Sequence, residues 1–137
     1  MLVLLDGAGM RLTEAGGRVR SLDAPLALAH FAGETPIRAT LDDGPTRDFN
    51  VMVRHDRACA TVEVHRGPAS VKPRHDLTFI FCTSGRIDIK LDDNTRHTIN
   101  SGDTLSLDKP AACEVREDGS WLHIGIESGS LVAAHRQ

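Results

Sequence analysis

Along this chain apolar residues recur at every second position far more often than at the 3.6-residue period of a helix, and that spacing predicts strands. Residues 78–82 are almost continuously apolar between His75-Asp76 and Ser84-Gly85, the pattern of a buried strand. Gly85 supplies the positive φ that a tight reversal needs. Residues 86–91 then alternate cleanly: Ile87, Ile89 and Leu91 are expected to face a core, and Arg86, Asp88 and Lys90 water. Asp92-Asp93-Asn94 predicts the next turn. It is followed by a strand around Thr98-Ile99, a turn at Ser101-Gly102-Asp103 and a strand over 104–107, with a stop at Lys109-Pro110. Strands at 113–116 and 121–126, split by Glu117-Asp118-Gly119, complete this half.

The first half has the same texture. Strands are expected at 1–5, from Val19, at 26–28, 37–41, 48–53 and 59–64, with turns at Asp6-Gly7-Ala8-Gly9, Gly16-Gly17 and Asp42-Asp43-Gly44-Pro45. No window carries a helical face longer than about two turns, short against ordinary helices. Short strands at this spacing predict an all-β antiparallel sandwich or barrel. Residues 68–73 are polar and hold two prolines, so they are the expected hinge between a first lobe at 1–67 and a second at 74–137. Residues 5–12 and 82–89 share one pattern, an apolar strand, a glycine turn and a second strand. It is a faint signal of two related halves.

Composition narrows the function. With 137 residues, 40% of them apolar and 26% charged, the chain has the make-up of a folded domain rather than a disordered one. Sixteen Lys and Arg against 19 Asp and Glu give a net charge of -3, which argues against a nucleic-acid partner. An aromatic content of 4% leaves little for base stacking. The opening apolar run closes at Asp6-Gly7, too short for a signal peptide or a membrane span. Cys59, Cys82 and Cys113 form no CxxC pair, which fits buried thiols in a reducing compartment. A cytoplasmic protein with no membrane partner is expected.

The chemistry-bearing motifs are sparse. Seven histidines never form His-x-His, and neither HExxH nor GxSxG occurs, so no metal, cofactor or catalytic residue is assigned. His123 shares a face with Trp121 and Gly125 by alternation and reads as a packed or exposed structural histidine. The strand over 48–53 is expected to set Phe49, Val51 and Val53 on one face and Asp48, Asn50, Met52 and Arg54 on the other. That polar face admits two structural readings, a solvent face or buried pairs involving Asp48 and Arg54. In the functional reading, Arg47, Asp48, Asn50, Met52 and Arg54, with Arg38 as the alternative to Arg47, bind a small carboxylate, because arginine offers a planar fork matched to it.

Two passages carry a family resemblance. The strand, Ser84-Gly85, strand rhythm with Gly102-Asp103 before the next strand resembles the centre of a cupin barrel. Residues 41–54, with Asp48-Phe49-Asn50-Val51-Met52 at their heart, resemble the signature of the HutD/Ves family of double cupins. Leu4-Leu5-Asp6-Gly7 and Phe31-Ala32-Gly33-Glu34 resemble its earlier elements. The resemblance runs from Met1 to about Ile126. It implies an RmlC-like jelly-roll bicupin, and a chain either naturally short or truncated ahead of Met1, with an incomplete first lobe. It further implies a non-catalytic regulatory protein of histidine utilisation that senses an acidic metabolite such as urocanate or formylglutamate. The alternatives are a metal-independent cupin isomerase or hydrolase, and a structural or stress-related module acting through an exposed sheet edge. A homodimer remains open.

Overall fold

The computed structural model describes residues 1–72 and 74–129. Among them are fourteen strands and no helix. The first six are β1 (Leu2–Asp6), β2 (Met10–Glu14), β3 (Val19–Leu22), β4 (Leu28–Ala29), β5 (Ile37–Leu41) and β6 (Arg47–Asn50). The next four are β7 (Ala58–Arg66), β8 (Ala69–Val71), β9 (Leu77–Ser84) and β10 (Arg86–Leu91). The last four are β11 (Arg96–Asn100), β12 (Thr104–Leu107), β13 (Cys113–Arg116) and β14 (Ser120–Ser128). The described residues include no helix long and apolar enough to cross a membrane.

The chain divides into two compact units, 1–52 and 53–137. This corrects the lobes expected at 1–67 and 74–137. The reason lies in long-range pairing. β7 runs beside β14 over nine residues, and β8 pairs with β13, so residues 58–71 belong to the second sandwich. The expected hinge at 68–73 therefore contains a strand, Pro73 lying outside the described residues. The strand expected over 48–53 stops at Asn50.

Each unit is a pair of antiparallel sheets. In the first the orders are β4-β1-β6 and β3-β2-β5, and in the second β12-β9-β14-β7 and β11-β10-β13-β8. Strand for strand, β1–β6 repeat the topology of β9–β14, and the second unit adds β7 beside β14 and β8 beside β13. The repeat hinted at by residues 5–12 and 82–89 is thus an equivalent sheet-to-sheet corner, β1 to β2 and β9 to β10. At the second corner Gly85 has φ 73°, and a Cβ there would lie 3.3 Å from the Gly119 backbone. At the Gly102-Asp103 turn the Asp103 carboxylate accepts the Asn100 N–H at 2.9 Å.

Two apolar cores follow from the alternation. Leu4, Met10, Leu12, Leu22 and Ala29 fill the first unit. The second packs Ile80, Cys82 and Trp121 from one sheet on Ile87, Ile89, Leu91, Cys113 and Val115 from the other. As expected from the sequence, Cys82 and Cys113 are buried thiols, whereas Cys59 is half-buried.

Candidate functional site

Residues directly opposite on neighbouring strands share a face, and this fixes what each inner face carries. In the second unit Trp121 opposes Cys82 and His65, His123 opposes Ile80 and Glu63, and Gly125 opposes Thr78 and Thr61. Since Cys82, Ile80 and Trp121 are core residues, Glu63, His65, His123 and Gly125 also point inward. The inner face therefore turns from apolar to polar towards β7.

The side chains gather around Glu63. Its Oε2 lies 3.4 Å from His65 Nε2 and 3.6 Å from His123 Nδ1, and its Oε1 accepts a hydrogen bond from Arg74 at 2.9 Å. His75 places its ring where a Cβ on Gly125 would otherwise sit, and its Nδ1 is 3.1 Å from Glu127. The His75 and His123 rings stand 5.7 Å apart. His65 stacks on Trp121 at 4.1 Å, and the Trp121 indole N–H is held by the Gly67 carbonyl at 3.0 Å. His75 and His123 are only 4% and 2% exposed. His65 Nε2, His75 Nε2 and His123 Nδ1 are buried without a hydrogen-bond partner.

The charges of this cluster are tuned by their neighbours. Burial pushes the His123 imidazole below its ordinary pKa, and His75 and His65 add to that, against the pull of Glu63. For Glu63 burial works upward, but the neighbouring histidines and Arg74 outweigh it, and the carboxyl sits below its usual range. A neutral imidazole thus faces an ionised carboxylate. That pairing can accept or hand on a proton and can bind an N–H-bearing ligand. Among the described residues no three His, Cys, Asp or Glu side chains are disposed to hold a metal ion.

Sequence reasoning placed His123 correctly on the Trp121 and Gly125 face, left open whether it is packed or exposed, and the structure buries it at 2% exposure. The same reasoning missed Glu63, His65, His75 and Glu127. The Glu63-x-His65 spacing was the available signal, since a strand sets both on one face.

The residues singled out from the signature strand are arranged differently from the expectation. Asp48 opposes Leu4 and Asn50 opposes Leu2, so both share the face of the first core, whereas Phe49 lies with Val3. They bond to one another, Asn50 Nδ2 donating to Asp48 at 2.8 Å, and both are exposed. By the repeat in topology they take the inner-face places that Trp121 and His123 hold in the second unit. Arg47 is exposed on β6, and Met52 is 86% exposed. Arg54 belongs to the second unit and forks onto Asp56 at 2.8 and 3.1 Å. The buried Asp48 and Arg54 pairs of the structural reading are absent among the described residues.

A two-unit antiparallel sandwich with polar inner-face positions at equivalent places is the architecture of a double cupin-like protein. The chain belongs to the HutD family, whose family model matches residues 1–123. It is 33% identical over 93 residues to protein Ves of Cronobacter sakazakii, a match covering 66% of this chain and 51% of Ves. The chain thus spans about half the length of that curated relative. HutD of Pseudomonas fluorescens SBW25, solved in a formate condition, superposes with a TM-score of 0.79 at 23% identity over 94% of this chain and 67% of that one. A conserved protein of unknown function from Pseudomonas aeruginosa PAO1 gives 0.78 at 24% identity, over 93% and 70% of the two chains. Likeness at this identity shows the shared fold.

Proposed function

We propose that this chain is a non-catalytic, ligand-binding protein in the control of histidine utilisation, sensing a small acidic product of histidine breakdown such as urocanate or formylglutamate. The observation that carries the reading is three buried ring nitrogens that make no hydrogen bond, on His65, His75 and His123, of which His65 Nε2 and His123 Nδ1 face the Glu63 carboxylate at 3.4 and 3.6 Å. Buried polar atoms are nearly always satisfied, and a polar ligand reaching this face gains hydrogen bonds that the protein alone leaves unmade. Glu63 and Glu127 are acceptors for an imidazole N–H, and Arg74 offers a cation to a carboxylate. Urocanate joins an imidazole and a carboxylate on one rigid frame. Formylglutamate brings two carboxylates towards two glutamates and binds more weakly. The net charge of -3 favours control through a metabolite or protein over direct contact with DNA.

Calorimetry with each acid at neutral pH tests this. Saturable urocanate binding is expected, weakened roughly ten- to hundredfold by Glu63→Gln or Arg74→Ala, the range for a charged hydrogen bond. A comparable loss in Arg47→Ala or Arg54→Ala, with Glu63→Gln silent, would move the site to the signature strand. Absence of heat with both acids ends the reading.

The Glu63 and His123 pair favours a second reading, a metal-independent isomerase or hydrolase with His123 as general base. Conversion of the bound acid, lost in His123→Gln, would establish it.

A further inference from the structure

The cluster around Glu63 carries a surplus of negative charge at the place where the proposed function seats an acid. The carboxylates of Glu63, Glu127 and Asp76 stand against the guanidinium of Arg74. Glu63 holds Arg74 at 2.9 Å, Glu127 holds His75 at 3.1 Å, and Asp76 lies within charge reach of His75. Among the described residues the other titratable groups here are imidazoles and thiols. His65 comes from β7, His75 from the chain entering β9, and His123 from β14. β9 sets Ile80 opposite His123. The core side chains of the facing sheet are apolar apart from Cys113, and burial keeps that thiol and Cys82 protonated. An anion entering this face is therefore repelled unless an imidazole takes up charge.

His123 is the ring placed to do so. It is buried, and Glu63 Oε2 lies 3.6 Å from its Nδ1, too far for the hydrogen bond that a buried ring nitrogen ordinarily makes. His75, by contrast, already has Glu127 at hydrogen-bond distance. In the free protein burial and the two neighbouring histidines hold His123 neutral against the pull of Glu63. A bound carboxylate adds a second negative charge beside the ring and reverses that balance. An imidazolium donates from both nitrogens, so a protonated His123 bonds Glu63 on one side and the acid on the other. Resting on the reading of this face as the site of an acidic metabolite, we infer that the acid binds together with a proton from solvent, taken up by His123. Linkage is reciprocal: the acid draws the proton in, and a lower pH tightens the hold on the acid. A dianion draws the proton more strongly than a monoanion, so the site discriminates among acids by charge.

Formylglutamate is the probe, because its carboxyls stay ionised from about pH 6 to about pH 8 and it has no other titrating group, so the protons counted belong to the protein. Calorimetry on the full chain in buffers of different ionisation enthalpy reads the uptake. About one proton per acid is expected near neutral pH, with binding weakening up to roughly tenfold for each unit of pH rise. His123→Gln should bind the acid with no proton uptake and a flat pH profile. Should that variant fail to fold, the His123 ring signals of the wild type, followed by NMR through a pH titration, carry the same test: their midpoint should rise when the protein is saturated with formylglutamate. Binding without proton uptake, uptake that survives in His123→Gln, or a His123 midpoint unmoved by the acid overturns this inference and leaves the reading of the site standing. Formylglutamate that fails to bind at any pH where urocanate binds overturns it too, since the second carboxylate should strengthen the coupling. Binding of neither acid at any pH ends the reading of the site, and this inference with it.

Discussion

At the scale of single residues, the second unit is built around the fit of His75 onto Gly125. No side chain can stand at position 125 without meeting the imidazole, and the ring is held there by Glu127 at 3.1 Å. Gly125→Ala should therefore cost roughly 1–3 kcal/mol, the ordinary price of overpacking a core. Adding His75→Ala should recover much of it, because the double variant removes the clashing ring. Thermal melts of the two single variants and the double measure that coupling directly. The cysteines make an independent check. Burial pushes the Cys113 thiol up to about 11, and Cys82 is raised as well, so neither forms the reactive thiolate near neutral pH. In the native protein a thiol reagent should modify the half-buried Cys59 first and reach the other two only on unfolding. Early labelling of Cys113 would show that the second core opens locally.

At the scale of elements, alternation alone located most strands to within a few residues, because one face of each meets a core. β10 is the clearest case, with Ile87, Ile89 and Leu91 buried and their neighbours less so. β8 escaped because its three residues lie between Pro68 and Pro73, and proline marks loops more often than strands. It survives as the outer strand of its sheet, paired among the described residues with β13 alone. The boundary between units was not legible either. Whether residues 58–71 join the strands before them or after them depends on partners up to β14, and no local pattern encodes that choice. The site was hidden for the same reason. Glu63, His75 and the β14 pair His123 and Glu127 come from three separate stretches of chain, and only the register of β7 with β14 brings Glu63 opposite His123. The register of β14 with β9 is testable at element level. It sets Thr78, 5% exposed, opposite Gly125, so Thr78→Arg would bury a guanidinium. Loss of the cooperative melt is expected, whereas the same change at exposed Thr98 on β11, which bonds Asp88, should cost less than about 1 kcal/mol, the usual scale for a surface contact.

For the molecule as a whole, the duplicated topology leaves its ionisable burden lopsided, and that sets its response to acid. The histidine and glutamate cluster lies in the second unit, and its two shifted groups act in the same direction. His123 titrates lower in the folded protein than its ordinary 6.5, so the unfolded chain takes up a proton that the native fold resists. Stability should begin to fall as the pH drops through 6.5 and continue to fall until the native value is passed. Glu63 is held below its ordinary 4.5. Its contribution is complete above that pH and is lost as the pH falls towards the lower native value. Asp76, bonded by Ser128, and Asp93, bonded by Thr95, are exposed carboxyls shifted the same way by those hydrogen bonds, and they add to the second phase. Denaturant melts from pH 8 down to pH 3 should therefore show a plateau followed by two declines, one beginning near 6.5 and one near 4.5. Replacing His123 by Gln removes the proton uptake behind the first decline while leaving a side chain of similar polarity, and the first phase should flatten. Glu63→Gln should flatten part of the second, and by removing the carboxylate that draws a proton onto His123 it should also extend the first phase to lower pH, its onset near 6.5 unchanged. A first decline that persists unchanged in His123→Gln would assign the proton to another histidine and break the link between this cluster and the acid response of the fold.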